Sequence, residues 1–430
     1  MNIQRQRPCS HITWITAALL AFGATLSAAD KPTLKDAYKD HFLVGVAINR
    51  TIAMNAAVRA DNVNRSMDQV DKDSALVKEQ FNQLSPENDL KWALIHPREG
   101  ADGYDFAPAD AYVNFGVSNK MYIVGHTLVW HGQTPRWVFQ GTNLPPGITN
   151  TSLPSITLTN APATNGFGGQ RPRRGFGGGF GGFNMNGPHA SREELLQRMH
   201  DHIFNVVGRY KGKIKVWDVV NEALADGGTN ILRNSPWSQI IGPDFIAKAF
   251  EYAHEADPDA ILRYNDYSLE NSAKRQKLIT LIKSLQEQHV PVMAIGSQTH
   301  VSVSSPSFEA EDKVLTDLET LGLPIHITEF DVNSAQGGQR NTSGDVAANA
   351  ATTQGGLVSD ADRKLSRAYA GLFRAFLKHQ NSVKMVTFWG VNDAISWRAQ
   401  GRPLLFDGND RSKPALDAVI HVATGDQPKS

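Results

Sequence analysis

Cysteine is almost absent from this chain. Its 430 residues contain one, Cys9, ahead of an apolar N-terminal stretch. A lone thiol cannot close an intrachain bridge, so a disulfide framework is excluded and stability has to come from a large core. Excess charge is missing as well, with 43 basic against 43 acidic side chains. The balance carries no electrostatic signature of a nucleic-acid partner, whereas a neutral polymer needs no charge bias. The chain lacks a Gly-x-Gly-x-x-Gly fingerprint after its first strand-like run, which removes support for a dinucleotide-binding fold. Its longest apolar stretch, Ile12 to Leu26, is too short to span a bilayer comfortably.

That stretch follows Arg5 and Arg7 and precedes the small residues Ser27-Ala28-Ala29. The order of basic start, short apolar core and small-residue cleavage site predicts a secretory signal over 1–29. The expectation is an exported protein, secreted or periplasmic, whose mature chain contains no cysteine and makes no stable membrane insertion. Residues 30–430 are expected to form one catalytic domain.

Eight apolar runs have strand character: His41–Ile48, Gln80–Ser85, Met121–Trp130, Ile214–Glu222, Ala260–Tyr267, Val292–Thr299, Pro324–Val332 and Val383–Val391. Helical periodicity fills much of the space between them. Ser191 followed by Glu194 spells a capping box, and further helices are expected over 244–256, 273–288, 308–321 and 362–379. Strand–helix alternation at this count predicts an α/β protein, a (β/α)8 TIM barrel with its chemistry at the C-terminal ends of the strands. One segment departs from the pattern. Residues 141–190 hold a third of the 36 glycines and no acidic residue, with repeated Gly and Phe around Arg171, Arg173 and Arg174. This composition cannot build a core and reads as a low-complexity insertion after the third strand.

Two glutamates stand out. Glu222 closes the fourth run, and in the seventh Glu329 closes the stretch Pro324-Ile325-His326-Ile327-Thr328-Glu329. A carboxylate at the exit of a buried strand is costly unless it is paired or used. Two such groups delivered to one mouth are what cleavage of a glycosidic bond requires, one protonating the leaving oxygen and the other attacking or activating water. Other strand ends supply Asn88, Lys91, His126, Trp130, Asn221, Gln298, His300, Trp389 and Trp397. Amides, imidazoles and an ammonium suit sugar hydroxyls, and indoles suit the weakly apolar face of a sugar ring.

The stretches Glu87-Asn88…Lys91-Trp92, Gly125-His126-Thr127-Leu128-Val129-Trp130-His131, Trp217-Asp218-Val219-Val220-Asn221-Glu222, Gly296-Ser297-Gln298-Thr299-His300, Ile327-Thr328-Glu329-Phe330-Asp331 and Thr387-Phe388-Trp389-Gly390, in this order, resemble glycoside hydrolase family 10, the retaining endo-β-1,4-xylanases. The resemblance implies that Glu222 is the general acid/base and Glu329 the nucleophile. It implies that Asn221 binds the sugar 2-hydroxyl and that His300 orients Glu329. Asn88, Lys91, His126 and Gln298 would line the glycone subsites, while Trp389 and Trp397 would pack over the sugar next to the cut. The implied partner is xylan or a xylo-oligosaccharide, with no metal or organic cofactor and a monomeric state. Two alternatives stay open: the same chemistry on a β-1,4-glucan or aryl glycoside, and a barrel that binds glycans without cutting them.

Overall fold

Eight parallel strands close on themselves: β1 (Leu43–Ile48), β2 (Gln83–Pro86), β3 (Tyr122–Trp130), β4 (Val216–Asn221), β5 (Ile261–Asp266), β6 (Ala294–Ser297), β7 (Ile325–Asn333) and β8 (Val383–Phe388). Each pairs in parallel with its neighbours, and β1 pairs with β8 to complete the ring. The computed structural model describes residues 31–57, 65–141, 188–334 and 359–425. The expected signal segment 1–29 and nearly all of the expected insertion 141–190 lie outside the described residues. A helix follows each strand: α1 (Met67–Gln80), α2 (Ala107–Ser118), α3 (Arg192–Arg209), α4 (Phe245–Ala256), α5 (Ser272–Glu287), α6 (Phe308–Glu319), α7 (Asp360–Lys378) and α8 (Pro414–Thr424). The expected (β/α)8 barrel is the observed fold.

The strands read as nearly continuous apolar runs because both of their faces are covered, as parallel sheets require. Every residue of β4, for example, is buried. Helices cover the outside through one apolar stripe each. In α7 that stripe is Leu365, Tyr369, Leu372, Phe373 and Phe376, all buried, at the three- and four-residue spacing of one helical face. The predicted capping box opens α3: Ser191 Oγ accepts from the Glu194 N–H at 3.1 Å and Glu194 Oε2 accepts from the Ser191 N–H at 2.8 Å. The barrel interior is tightly filled. A side chain on Gly45 would collide with Gln83, whose Oε1 accepts from Thr387 Oγ1 at 2.7 Å.

Several boundaries differ from the sequence reading. Gln80 ends α1 rather than starting β2, and β8 stops at Phe388, before Trp389. β6 is cut to four residues because Gln298 and Thr299 leave the ladder, Thr299 at φ +55°. The chain then forms a second short strand, His300–Ser302, beside the outer end of β7. Glu329 is therefore not a terminal residue. β7 runs four residues past it, and that overhang pairs with the short strand.

Candidate active site

β4 ends at Asn221, and Glu222 turns into the left-handed region at φ +57°. For a residue with a side chain this costs on the order of 1–3 kcal/mol and persists only where the surroundings enforce it. They do so on several sides. The Glu222 N–H donates to the Asn265 carbonyl at 2.9 Å, and the Glu222 carbonyl accepts from Arg233 Nε at 3.2 Å. Its carboxylate accepts from Trp130 Nε1 at 2.9 Å on one oxygen and from Gln298 Nε2 at 3.0 Å on the other. The outcome is a half-buried carboxylate held by donors from β3 and from the end of β6.

Glu329 is buried in β7. Its Oε1 accepts from Asn265 Nδ2 at 2.8 Å, and its Oε2 lies 3.3 Å from His300 Nε2. Burial by itself would raise the pKa of this carboxyl. The His300 hydrogen bond, helped by the charges of His126 and His300, outweighs burial and holds the pKa below its ordinary 4.5. His300 shows the converse. Burial would lower its pKa, but the charge and hydrogen bond of Asp331, together with the bond to Glu329, raise it to about 9. At neutral pH the imidazolium donates from Nδ1 to Asp331 at 3.0 Å and from Nε2 to Glu329.

A floor of side-chain amides joins the two glutamates. Asn265 Nδ2 donates to Asn221 Oδ1 at 2.9 Å as well as to Glu329, while Asn265 Oδ1 accepts from Thr328 at 2.6 Å. Gln298 Nε2 reaches both Asn221 Oδ1, at 3.3 Å, and Glu222, and the Gln298 carbonyl accepts from the Glu329 N–H at 3.1 Å. Two donors on Asn221 Oδ1 fix the amide's orientation.

The remaining predicted residues ring the same mouth. Lys91 Nζ donates to Asn88 Oδ1 at 2.8 Å and lies over the Trp130 ring at 5.1 Å. His126 meets the Trp389 ring edge-on, with centroids 5.3 Å apart. Its Nδ1 is 3.0 Å from Asp218, which also pairs with Arg263. Trp397 lies edge-on to His300 and donates from Nε1 to Asp331 at 2.7 Å. The structure thus brings together all eleven residues named from the sequence.

Sequence reading missed the connectors. Asn265 touches Asn221 and Glu329 directly, and Asp331 fixes both His300 and Trp397. A signal for Asn265 was present: the polar pair Asn265-Asp266 stands next to the end of the fifth run, as Asn221-Glu222 closes the fourth. Asp331 stands two residues beyond Glu329, on the same face of its strand. Among the described residues, no group of three His, Cys, Asp or Glu is arranged to hold a metal ion.

This constellation, two carboxylates held at one mouth and bordered by amides and indoles, agrees with the known proteins that the chain resembles. The sequence pattern of glycosyl hydrolase family 10 matches residues 33–153 and 183–422, leaving out the middle of the Gly/Phe-rich stretch. A β-1,4-xylanase of Dictyoglomus thermophilum is 34% identical over 396 residues, covering 90% of each chain. Endo-1,4-β-xylanase A of Xylanibacter ruminicola is 32% identical over 424 residues, 96% of this chain and 99% of that one. Among solved structures, a family 10 endoxylanase from a sugarcane soil metagenome is 33% identical with a TM-score of 0.69, covering 91% of this chain and 99% of its own. An intracellular xylanase from Thermoanaerobacterium saccharolyticum is 34% identical with a TM-score of 0.69 over the same shares. On the matched pattern, the shared barrel and the relatives that align along almost their whole length, this chain belongs to glycosyl hydrolase family 10.

Proposed function

We propose that the protein is a retaining endo-β-1,4-xylanase that hydrolyses internal xylosidic bonds of xylan by double displacement. The observation that carries this reading is the unequal treatment of two carboxylates at one mouth. Glu329 is buried, bonded to His300 and Asn265, and kept ionised with a depressed pKa. Glu222 is more open and is addressed by two neutral donors, an indole and an amide. An ionised, fixed carboxylate suits attack on the anomeric carbon, and a more accessible one suits proton transfer to the leaving oxygen and later from water.

In this reading Glu329 forms the glycosyl–enzyme bond while Glu222 protonates the leaving group. Glu222 then takes a proton from the water that releases the sugar. The Trp130 and Gln298 hydrogen bonds strengthen as Glu222 becomes anionic in the first step, so they act in the transition state more than in the ground state. Asn221, its oxygen engaged below, turns its amide N–H groups to the sugar 2-hydroxyl. Asn88, Lys91, His126 and Gln298 bind glycone hydroxyls, and Trp389 and Trp397 shape the wall against the ring. The relatives' names support xylan as substrate, and one solved relative is a complex with xylotetraose. Export through cleavage of residues 1–29 and a monomeric mature enzyme belong to the same proposal. The basic, apolar and small-residue order of the N-terminus supports the export.

Digestion of linear xylan and carboxymethyl cellulose side by side tests the substrate, and proton NMR of the freshly released ends tests the stereochemistry. The expected result is a ladder of xylo-oligomers from xylan alone, with the β-anomer appearing first. An initial α-anomer rules out the double displacement. Release from cellulose moves the substrate to β-glucans, and silence on both polymers removes the endo-xylanase reading.

A further inference from the structure

One layer beneath the glutamates, a row of buried polar groups crosses the barrel. His126 on β3 is the register partner of Asp218 on β4, and Asp218 is the register partner of Arg263 on β5. Asp218 accepts from Arg263 Nε at 2.7 Å and from Arg263 NH2 at 2.9 Å, and its Oδ2 is also 3.0 Å from His126 Nδ1. The guanidinium does not stop there. Its NH1 is 3.0 Å from Nδ1 of His326 on β7, which means that it reaches past β6. The register partner of Arg263 on β6 is Ala294, whose methyl group leaves room for the arginine to pass. Met385 of β8 lies beyond, its Sδ 4.0 Å from NH1, and Tyr122 of β3 also senses the charge. Arg263, Asp218, His126 and His326 are all almost completely buried.

The ends of this strut are tied to the chemistry. Asp218 precedes Glu222 by four residues on β4, and His326 precedes Glu329 by three on β7. With Nδ1–H given to Asp218, His126 has one ring edge committed below, and the rest of the ring faces Trp389 and the mouth. A planar guanidinium can serve a carboxylate and an imidazole at fixed angles; an ammonium, as a point charge, cannot serve both.

We propose that Arg263 is a positioning residue for glycoside cleavage: this one guanidinium sets the spacing of the strands that carry Glu222 and Glu329 and the orientation of His126. The inference rests on the functional reading above. Arg263 touches no sugar and acts through Asp218, His126 and His326. Its charge also keeps His326 neutral. Burial first and Arg263 second depress the His326 pKa to about 3, against the opposing pull of Asp218.

The test compares wild type, Arg263→Met and Arg263→Lys on 4-nitrophenyl β-xylobioside, with kcat and KM taken across the pH range and melting followed in parallel. Misplacing reacting groups by about 1 Å costs on the order of 10²-fold, so a kcat loss of that order with a far smaller change in KM is expected for Arg263→Met. Arg263→Lys retains a cation for Asp218 but not the second contact, so it folds and remains slow; this variant decides the matter if Arg263→Met does not fold. Wild-type kcat in the folded variants, with only a lower melting temperature, overturns the proposal. A wild-type enzyme that leaves both this substrate and xylan uncut refutes the functional reading itself.

Discussion

Trp397 donates its indole N–H to Asp331 at 2.7 Å, and the same carboxylate oxygen lies 3.0 Å from His300 Nδ1. The ring expected to border the sugar and the imidazole that addresses Glu329 thus share one anchor. Arg398 holds the other oxygen of that anchor at 2.8 Å. Asp331→Asn keeps the shape and removes the charge. Turnover is expected to fall on the order of 10²-fold because two groups lose their placement together. Steady-state kinetics on xylo-oligosaccharides checks this, and a variant with wild-type kcat contradicts the anchoring role.

The pH dependence follows from the same group. The pKa of His300 is raised from 6.5 to about 9, so its stabilising contribution is complete below about 6.5 and is lost as pH rises through about 9. Glu329 has a depressed pKa, so its contribution is present above 4.5 and is lost as pH falls through the lower folded value. Stability should therefore plateau between those limits. In Asp331→Asn the largest influence raising the His300 pKa is gone. The alkaline limb of stability, followed as melting temperature against pH, should then move toward neutrality, and an unchanged limb near pH 9 would assign it to another group.

Trp130→Phe removes the donor to Glu222 and keeps an aromatic ring beside Lys91. A hydrogen bond to a charged group is worth about 1.5–3 kcal/mol, equivalent to a loss in kcat of about 10- to 160-fold. The loss should appear in kcat more than in KM, because the bond matters most when Glu222 is anionic. A variant changed only in KM would place Trp130 in substrate binding alone.

Gly125→Ala tests packing rather than chemistry. A methyl group there would lie 2.2 Å from the ring of Trp217, which is fully buried between strands. Overpacking of this kind costs about 1–3 kcal/mol. A lower melting temperature is expected in thermal denaturation, and a variant as stable as wild type would show that the Trp217 ring can shift freely.

The barrel was legible in the sequence because its signal is repeated eight times. Each covered strand is an apolar run, and small errors at the ends do not alter the alternation. Strand ends were less legible where tertiary pairing overrides local pattern. Nothing local announces that His300–Ser302 forms a separate short strand against the far end of β7, and so Glu329 seemed to close its strand. The glutamates and the groups around them were readable because polar residues at the end of an apolar run stand out. Asn265 stands near the end of such a run too, but its role depends on Asn221 and Glu329, distant in sequence. Arg263 was harder still: a cation within an apolar strand has meaning only once Asp218 and His326 are found on either side of it. These are properties of three-dimensional closure, and one-dimensional spacing does not encode them.

The Asn265 amide has both of its donors committed. Its nitrogen serves Asn221 and Glu329, and its oxygen is taken by Thr328. A buried amide with three such bonds cannot be exchanged alone without leaving partners unsatisfied, so the floor of this site resists gradual change. Change at this floor has to be concerted: a new residue at 265 needs new partners at 221, 328 and 329 together.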